Sequence, residues 1–191
     1  MKIKNIVLIL VLSFVFQKIS AQTAKVEIMH YPKKWKFEKI SFPLDFAKDI
    51  TWKGFEELRF SPGMFKVESK EYFTYYFGMK VEEKTVISEE TIKDMLEKYY
   101  KGLCKAVNSQ GKFKIDYEKI VAKVSRKDTQ TFKISVVFFD SFTNGNQVLL
   151  SMLLTTKKKN KATMLLAFVT PKENEDNLTK LHQKNLEFNF K

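Results

Sequence analysis

Hydrophobic positions along this chain change period near Gly111. Upstream, Ile92, Met95, Leu96, Tyr99, Leu103 and Val107 recur at the three- and four-residue spacing that lines one side of a helix. Ser88 precedes them as an N-cap, with Glu89 and Glu90 in the first turn, where negative charge complements the exposed amides. The stripe is one-sided, so this helix is expected to lie on a flat apolar surface. Downstream the period is two. "FKIDYEKIVAKVS" predicts a strand with a bulge between Tyr117 and Ile120, and "QTFKISVVFFDSF", "QVLLSMLLTT" and "KATMLLAFV" predict three more. Their links are short (Arg126-Lys127-Asp128, Asn144-Gly145-Asn146 and a tip carrying Lys157-Lys158-Lys159), so an antiparallel meander is expected.

The N-terminal half is less regular. Residues 22–54 scatter Trp35, Phe37, Phe42, Phe46 and Trp52 among prolines and charges, which predicts an extended aromatic arm. "GFEELRF" (54–60) then predicts a strand that ends at the turn Ser61-Pro62-Gly63. In "KEYFTYYFGMKVEE", alternation puts Phe73, Tyr75, Phe77 and Met79 on one face and Tyr72, Thr74, Tyr76 and Gly78 on the other. The tail predicts a helix around Glu175 to Lys184 and a closing strand "LEFNF". The expected class is α+β: an antiparallel β-sheet meander packed against one main α-helix, with an aromatic N-terminal arm and a short C-terminal helix/strand.

Several central strands are apolar on both faces. Phe132, Ile134, Val136 and Phe138 line one side of a strand whose other side carries Val137 and Phe139, and Leu149, Leu153, Leu165 and Val169 repeat the effect. A sheet with one face in water does not have this composition. Either the arm and tail cover the second face, or a cavity there accepts an apolar ligand.

The first residues set the expected compartment. The apolar run of Ile6 to Phe16 follows Lys2 and Lys4, is too short to span a bilayer, and ends in Ile19-Ser20-Ala21, the features of a cleaved secretory leader. Residues 1–21 are thus expected to be a signal peptide and 22–191 a single domain, periplasmic or secreted in a Gram-negative bacterium, without a transmembrane segment in the mature chain. Removal of Lys2, Lys4 and Lys18 leaves 31 basic against 22 acidic residues, about +9 of the original +12. Such a charge implies weak attraction to anionic surfaces. Only Arg59 and Arg126 are arginines, however, and scattered lysines without arginine do not suit specific nucleic-acid recognition.

Chemistry-bearing motifs are sparse. Cys104 is the single cysteine and stands beside the helical apolar stripe, the setting of a small buried hydrophobe. With His30 and His182 as the only histidines, there is no metal-ligand spacing, no phosphate-binding glycine loop and no nucleophile elbow, so no metal or cofactor is expected. In "GFEELRF", alternation sets Glu57 and Arg59 side by side on the face of Phe55. They are expected either to pin the arm as a structural pair or to orient a ligand, with Asp140 as a third group. Two functions stay open: a non-enzymatic module binding an apolar small molecule or an envelope protein through a face bearing Tyr72 and Tyr76, or a hydrolase of envelope material using Glu57 and Asp140 as paired carboxylates.

The stretches "FPLDFAKDITWKGFEELRFSPGMF", "EYFTYYF" and "YYKGLC", with "FFDSF" near Asp140, resemble a family of small exported bacterial proteins of unknown function. The resemblance covers roughly residues 35–107 and implies no chemistry. No cysteine follows the leader here, which would set this chain apart from lipoprotein members of such families.

Overall fold

The structure is a computed structural model that describes residues 25–171 and 174–189; the expected signal peptide at residues 1–21 lies outside the described residues. Its strands are β1 (Lys36–Ser41), β2 (Gly54–Phe60), β3 (Tyr75–Glu82), β4 (Val121–Arg126), β5 (Thr131–Phe139), β6 (Gln147–Lys159) and β7 (Ala162–Pro171), and its helices are α1 (Glu89–Val107) and α2 (Glu175–Asn189). All seven strands form one antiparallel sheet in the order β1-β2-β3-β7-β6-β5-β4, an α+β fold. The sheet is two meanders, β1 to β3 and β4 to β7, joined where β7 pairs with β3.

That order determines where α1 goes. β3 is central and β4 is an edge, so the connection between them must cross the sheet, and α1 is the crossing. Ser88 caps it as expected: its hydroxyl accepts from Thr91 N (3.2 Å) while Thr91 Oγ1 accepts from Ser88 N (2.9 Å). Such a cap contributes about 1 kcal/mol. Ile92, Met95, Leu96, Tyr99, Tyr100 and Cys104 are buried against Leu58, Phe77, Met79, Ile134, Val136 and Leu165. The stripe thus bends at its C-terminal end from the expected Leu103 and Val107 toward Tyr100 and Cys104. Gly102 faces the segment before β2, where a Cβ would lie 2.1 Å from the Phe46 carbonyl oxygen, so only glycine allows this approach.

α1 also closes an edge. Glu97 Oε1 accepts from Ala122 N (2.9 Å) and Glu89 Oε1 from Arg126 N (2.6 Å), occupying amides of β4 that would otherwise be open to a further strand.

Four local expectations are corrected. Residues 113–120 are not strand: Asn108 holds both backbone groups of Phe113 (2.8 and 2.9 Å), and Asp116 caps a one-turn helix at Tyr117–Lys119. The arm is not wholly irregular, because Lys36–Ser41 pairs with β2 as an edge strand. The lysine run lies within β6, and the β6–β7 turn is Asn160-Lys161, both at positive φ (51° and 58°), as a two-residue hairpin turn requires. Finally "LEFN" continues α2 to Asn189. The contacts that decide this are Leu178, His182, Asn185 and Asn189, all buried at spacings of four, three and four residues. Half of these are asparagine, which hid the helical period.

Beneath α1 the core holds a buried acid. Glu56 on β2 is 0 % exposed, its Oε1 receives only a long contact from the Tyr99 hydroxyl (3.4 Å), and Oε2 has no partner among the described residues. Burial, with the nearby Glu38 charge adding to it, pushes its pKa up to about 8. On the opposite face, burial pulls His182 down to about 4. Glu56 keeps its proton in the fold, so its contribution to stability declines as pH rises from the ordinary carboxylate range to about 8, by about 1.4 kcal/mol per pH unit. His182 favours the neutral ring, so its contribution is lost as pH falls through 6.5 toward 4. The two slopes oppose each other in acid and Glu56 acts alone above neutrality. Thermal unfolding from pH 4 to 9 is therefore expected to fall above pH 6.5 in the wild type and to stay level there in Glu56→Gln, which gains most at pH 9. His182→Gln should remove the compensating slope below pH 6.5.

Candidate functional site

The second sheet face is covered by the arm and α2. Ile28 and Met29 cross β3 at Gly78, where a Cβ would meet Ile28 Cγ2 (3.2 Å), Leu166 Cδ1 (3.2 Å) and Met29 Sδ (3.3 Å). With Tyr76, Leu153, Leu166, Phe168 and Leu178 they form a second apolar cluster, which Trp35, Phe37, Leu181 and Leu186 extend. Over β3, β7 and the middle of β6 both faces are apolar because both are buried, whereas Leu149 near the start of β6 stays exposed.

Glu57 and Arg59 hold the arm there. Glu57 Oε1 accepts from Glu27 N, and Oε2 from Ile28 N and Met29 N, each at 2.8 Å. Lys39, opposite Glu57 on β1, adds an ion pair at 3.3 Å. Arg59 Nε donates to the Met29 carbonyl (2.9 Å) and Nη1 to that of Trp35 (3.2 Å), while its guanidinium lies 4.5 Å from the centre of the Phe37 ring. Adjacent side chains of one strand face thus take the amides and the carbonyls of the same arm segment. The donors and acceptors they satisfy are backbone groups of the protein itself.

Asp140 lies elsewhere. It continues the parity of Phe138 on the α1 side, whereas Glu57 faces the arm, so the sheet separates the two carboxylates. Its Oδ1 accepts from Phe142 N and Thr143 N (2.9 Å each), and Oδ2 accepts the hydroxyls of Tyr72 (2.6 Å) and Thr143. Asp140 organises the β5–β6 turn. Tyr72 is bound to it and not to the face of Tyr76, because β3 begins only at Tyr75 and Phe73 has φ 46°, which breaks the alternation. The Phe73 ring packs edge-on against Tyr72 and Phe138.

Of the five residues the sequence singles out, Tyr76 lines a groove that the other four do not. An open groove of about 410 Å³ runs between the arm, the ends of β3 and β7, and the C-terminal half of α2. Trp35 stacks on Tyr76 (5.3 Å between centroids, 23°), Phe168 tilts against the same ring (4.9 Å), and Tyr31 meets Phe188 (5.4 Å), giving aromatic walls on three sides. Thr74 and Thr170 pair across the strand ends at 3.0 Å, and Lys70, Glu71 and Lys184 complete the lining. The α2 wall adds Asn185 and Asn189. Asn189 clamps Tyr31, its Oδ1 accepting the Tyr31 amide (2.9 Å) and its Nδ2 donating to the Tyr31 carbonyl (3.3 Å), and Nδ2 also donates to Asn185 Oδ1 (2.8 Å). Burial raises the Tyr76 hydroxyl to about 12, so it stays protonated at neutral pH.

The sequence alone passed over Tyr31, Asn185, Phe188 and Asn189. For the three on α2 the signal was the helical spacing of the tail, obscured by reading "LEFNF" as a strand; Tyr31, on the arm, carries no such period. Cys104 is buried and free, its thiol raised by burial and donating to the Phe139 carbonyl (3.2 Å). Among the described residues no group of three or more His, Cys, Asp or Glu side chains is placed to hold a metal ion, and no helix is long and apolar enough to cross a membrane. Comparison with protein-family models, with curated proteins and with solved structures finds no match to this chain.

Replacing Glu57 by Ala strands the buried amides of Ile28 and Met29 and is expected to destabilise the protein by about 3 kcal/mol or more. The arm should loosen first. Hydrogen exchange at Ile28 and Met29 and tryptic cleavage at Lys33, Lys34 and Lys36 should both accelerate in Glu57→Ala, well before the sheet unfolds; unchanged protection would contradict the latch.

Proposed function

We propose that this chain is a non-enzymatic binding module of the bacterial envelope that holds a small apolar molecule in the groove between the arm and α2. The groove carries this reading: its volume falls in the range of small-molecule sites, and the surface it exposes is mostly apolar, with aromatic walls and polar side chains set among them. The commitments of the carboxylates support a binding rather than a catalytic role. Glu57 is saturated by arm amides and Asp140 by its own turn, and they face opposite sides of the sheet. A hydrolase needs an acid and a base within reach of one bond. The leader read at residues 1–21 supports export to the periplasm or beyond, and the basic charge suits loose residence near anionic envelope surfaces.

A solvent-sensitive apolar dye such as Nile red, titrated into the protein, is expected to bind at one site with quenching of Trp35 when Trp52 is replaced by Phe. Phe188 is 38 % exposed on the rim, so Phe188→Glu should preserve the fold while weakening dye binding tenfold or more. Dye affinity unchanged in Phe188→Glu, with the same melting temperature, would remove the groove as the binding site.

A further inference from the structure

Two polar groups on the groove have hydrogen-bonding capacity that the protein leaves unused. Tyr76 is 7 % exposed, and its hydroxyl has no hydrogen-bond partner among the described residues. Asn185 is 1 % exposed, and its Nδ2 is buried without a partner. The orientation of that amide follows from its neighbour. Asn189 must present Oδ1 to the Tyr31 N–H and Nδ2 to the Tyr31 carbonyl, so the contact it makes with Asn185 is a donation from Nδ2. Asn185 therefore gives its oxygen to Asn189 and is left with a donor. A buried N–H without an acceptor is costly and uncommon in native proteins. The Tyr76 hydroxyl, on the same groove, is a second donor. The charges on the rim lean the same way: Lys70 and Lys184 are cationic, and Glu71 is tied by its Oε2 to Gly63 N (3.2 Å).

We infer that the ligand of this groove is an apolar molecule ending in an acceptor-only oxygen, a carbonyl or carboxylate, which takes the N–H of Asn185 and the O–H of Tyr76. This rests on the groove being the binding site proposed above, and adds the head group that the site selects. An ammonium head offers no lone pair and meets two donors and two lysines. A bare hydrocarbon leaves the Asn185 donor as it stands. The carbonyl of an ester and the carboxylate of a free acid share the chemistry that the two donors recognise, and they differ in charge.

Three compounds with one tail separate these cases: dodecanoate, methyl dodecanoate and dodecylammonium, each titrated below its micelle concentration into the folded chain and followed by native mass spectrometry and calorimetry. Dodecanoate and the methyl ester are expected to bind at one site at least tenfold more tightly than dodecylammonium. Tyr76→Phe keeps the ring stack with Trp35 and should weaken both acceptor-headed ligands about tenfold, the effect of one lost hydrogen bond. Asn185→Asp keeps the acceptor for Asn189, removes the donor, and should shift the preference toward dodecylammonium. If that variant does not fold, Tyr76→Phe decides the matter. Equal affinity for all three heads, or an ester affinity unchanged by Tyr76→Phe, overturns the head-group assignment and leaves an apolar groove. Binding of dodecanoate alone that vanishes in high salt marks nonspecific attraction to a basic protein and overturns it as well. Failure of all three to bind overturns the groove reading itself.

Discussion

One carboxylate accepting three successive backbone amides holds the second half of this fold in place. Glu57 is fully buried beside Arg59 on its strand face, and a charge in that position is tolerable only because Glu27, Ile28 and Met29 bring their N–H groups to it. In return the arm has somewhere to go. Once its amides are anchored by Glu57 and its carbonyls by Arg59, Ile28 and Met29 lie over Gly78, and Trp35 lies on Tyr76. The aromatic wall of the groove is a consequence of that latch. So is the seat of α2, whose Asn189 grips the backbone of Tyr31 on the same arm.

The two sheet faces are built by different rules. On the α1 side the cover is a long, capped, strongly amphipathic helix on a continuous aliphatic and aromatic core, and its buried polar groups include Glu56 beneath Tyr99, the hydroxyls of Tyr75 and Tyr100 bonded to each other, and Asp140 held by its own turn and Tyr72. On the other side the cover is a polar-backed segment and a helix that buries His182, Asn185 and Asn189 along with Leu178. Two of the three buried polar atoms without partners among the described residues, His182 Nδ1 and Asn185 Nδ2, lie under α2. Apolar cores seldom leave such atoms unpaired. Both are carried by α2, whereas the third, Glu56 Oε2, lies beneath α1.

Legibility in the sequence followed the strength of the repeating pattern. α1 could be read because six apolar positions share one helical side and Ser88 stands at its start; β5 could be read because its alternation persists for nine residues, and β6 and β7 because each holds a long apolar run bounded by turns. β2 and the side-by-side placement of Glu57 and Arg59 followed from the same rule. β1 was hidden because an edge strand needs only one apolar face and its alternation is mixed with lysine and glutamate. Tyr72 was placed wrongly because a single residue, Phe73, takes a positive φ, and alternation arguments fail at such a break. The end of α2 was missed because its buried positions include two asparagines, which carry no hydrophobic signal.

Local periodicity, capping and turn chemistry depend on residues a few positions apart, and these the amino-acid order determined: a capped helix, antiparallel hairpins, and strands too apolar to leave either face in water. Which strands become neighbours is a matter of pairing between distant residues, from Glu82 with Ala162 to Tyr75 with Val169, and only the tertiary structure decided that β7 would join β3 and so send α1 across the sheet. The same holds for the groove. Its walls come from residues 31–35, 70–76, 168–170 and 181–189, four segments with no local relation to one another. The unpaired donor of Asn185 exists because Asn189 is already committed to Tyr31, 158 residues away in sequence.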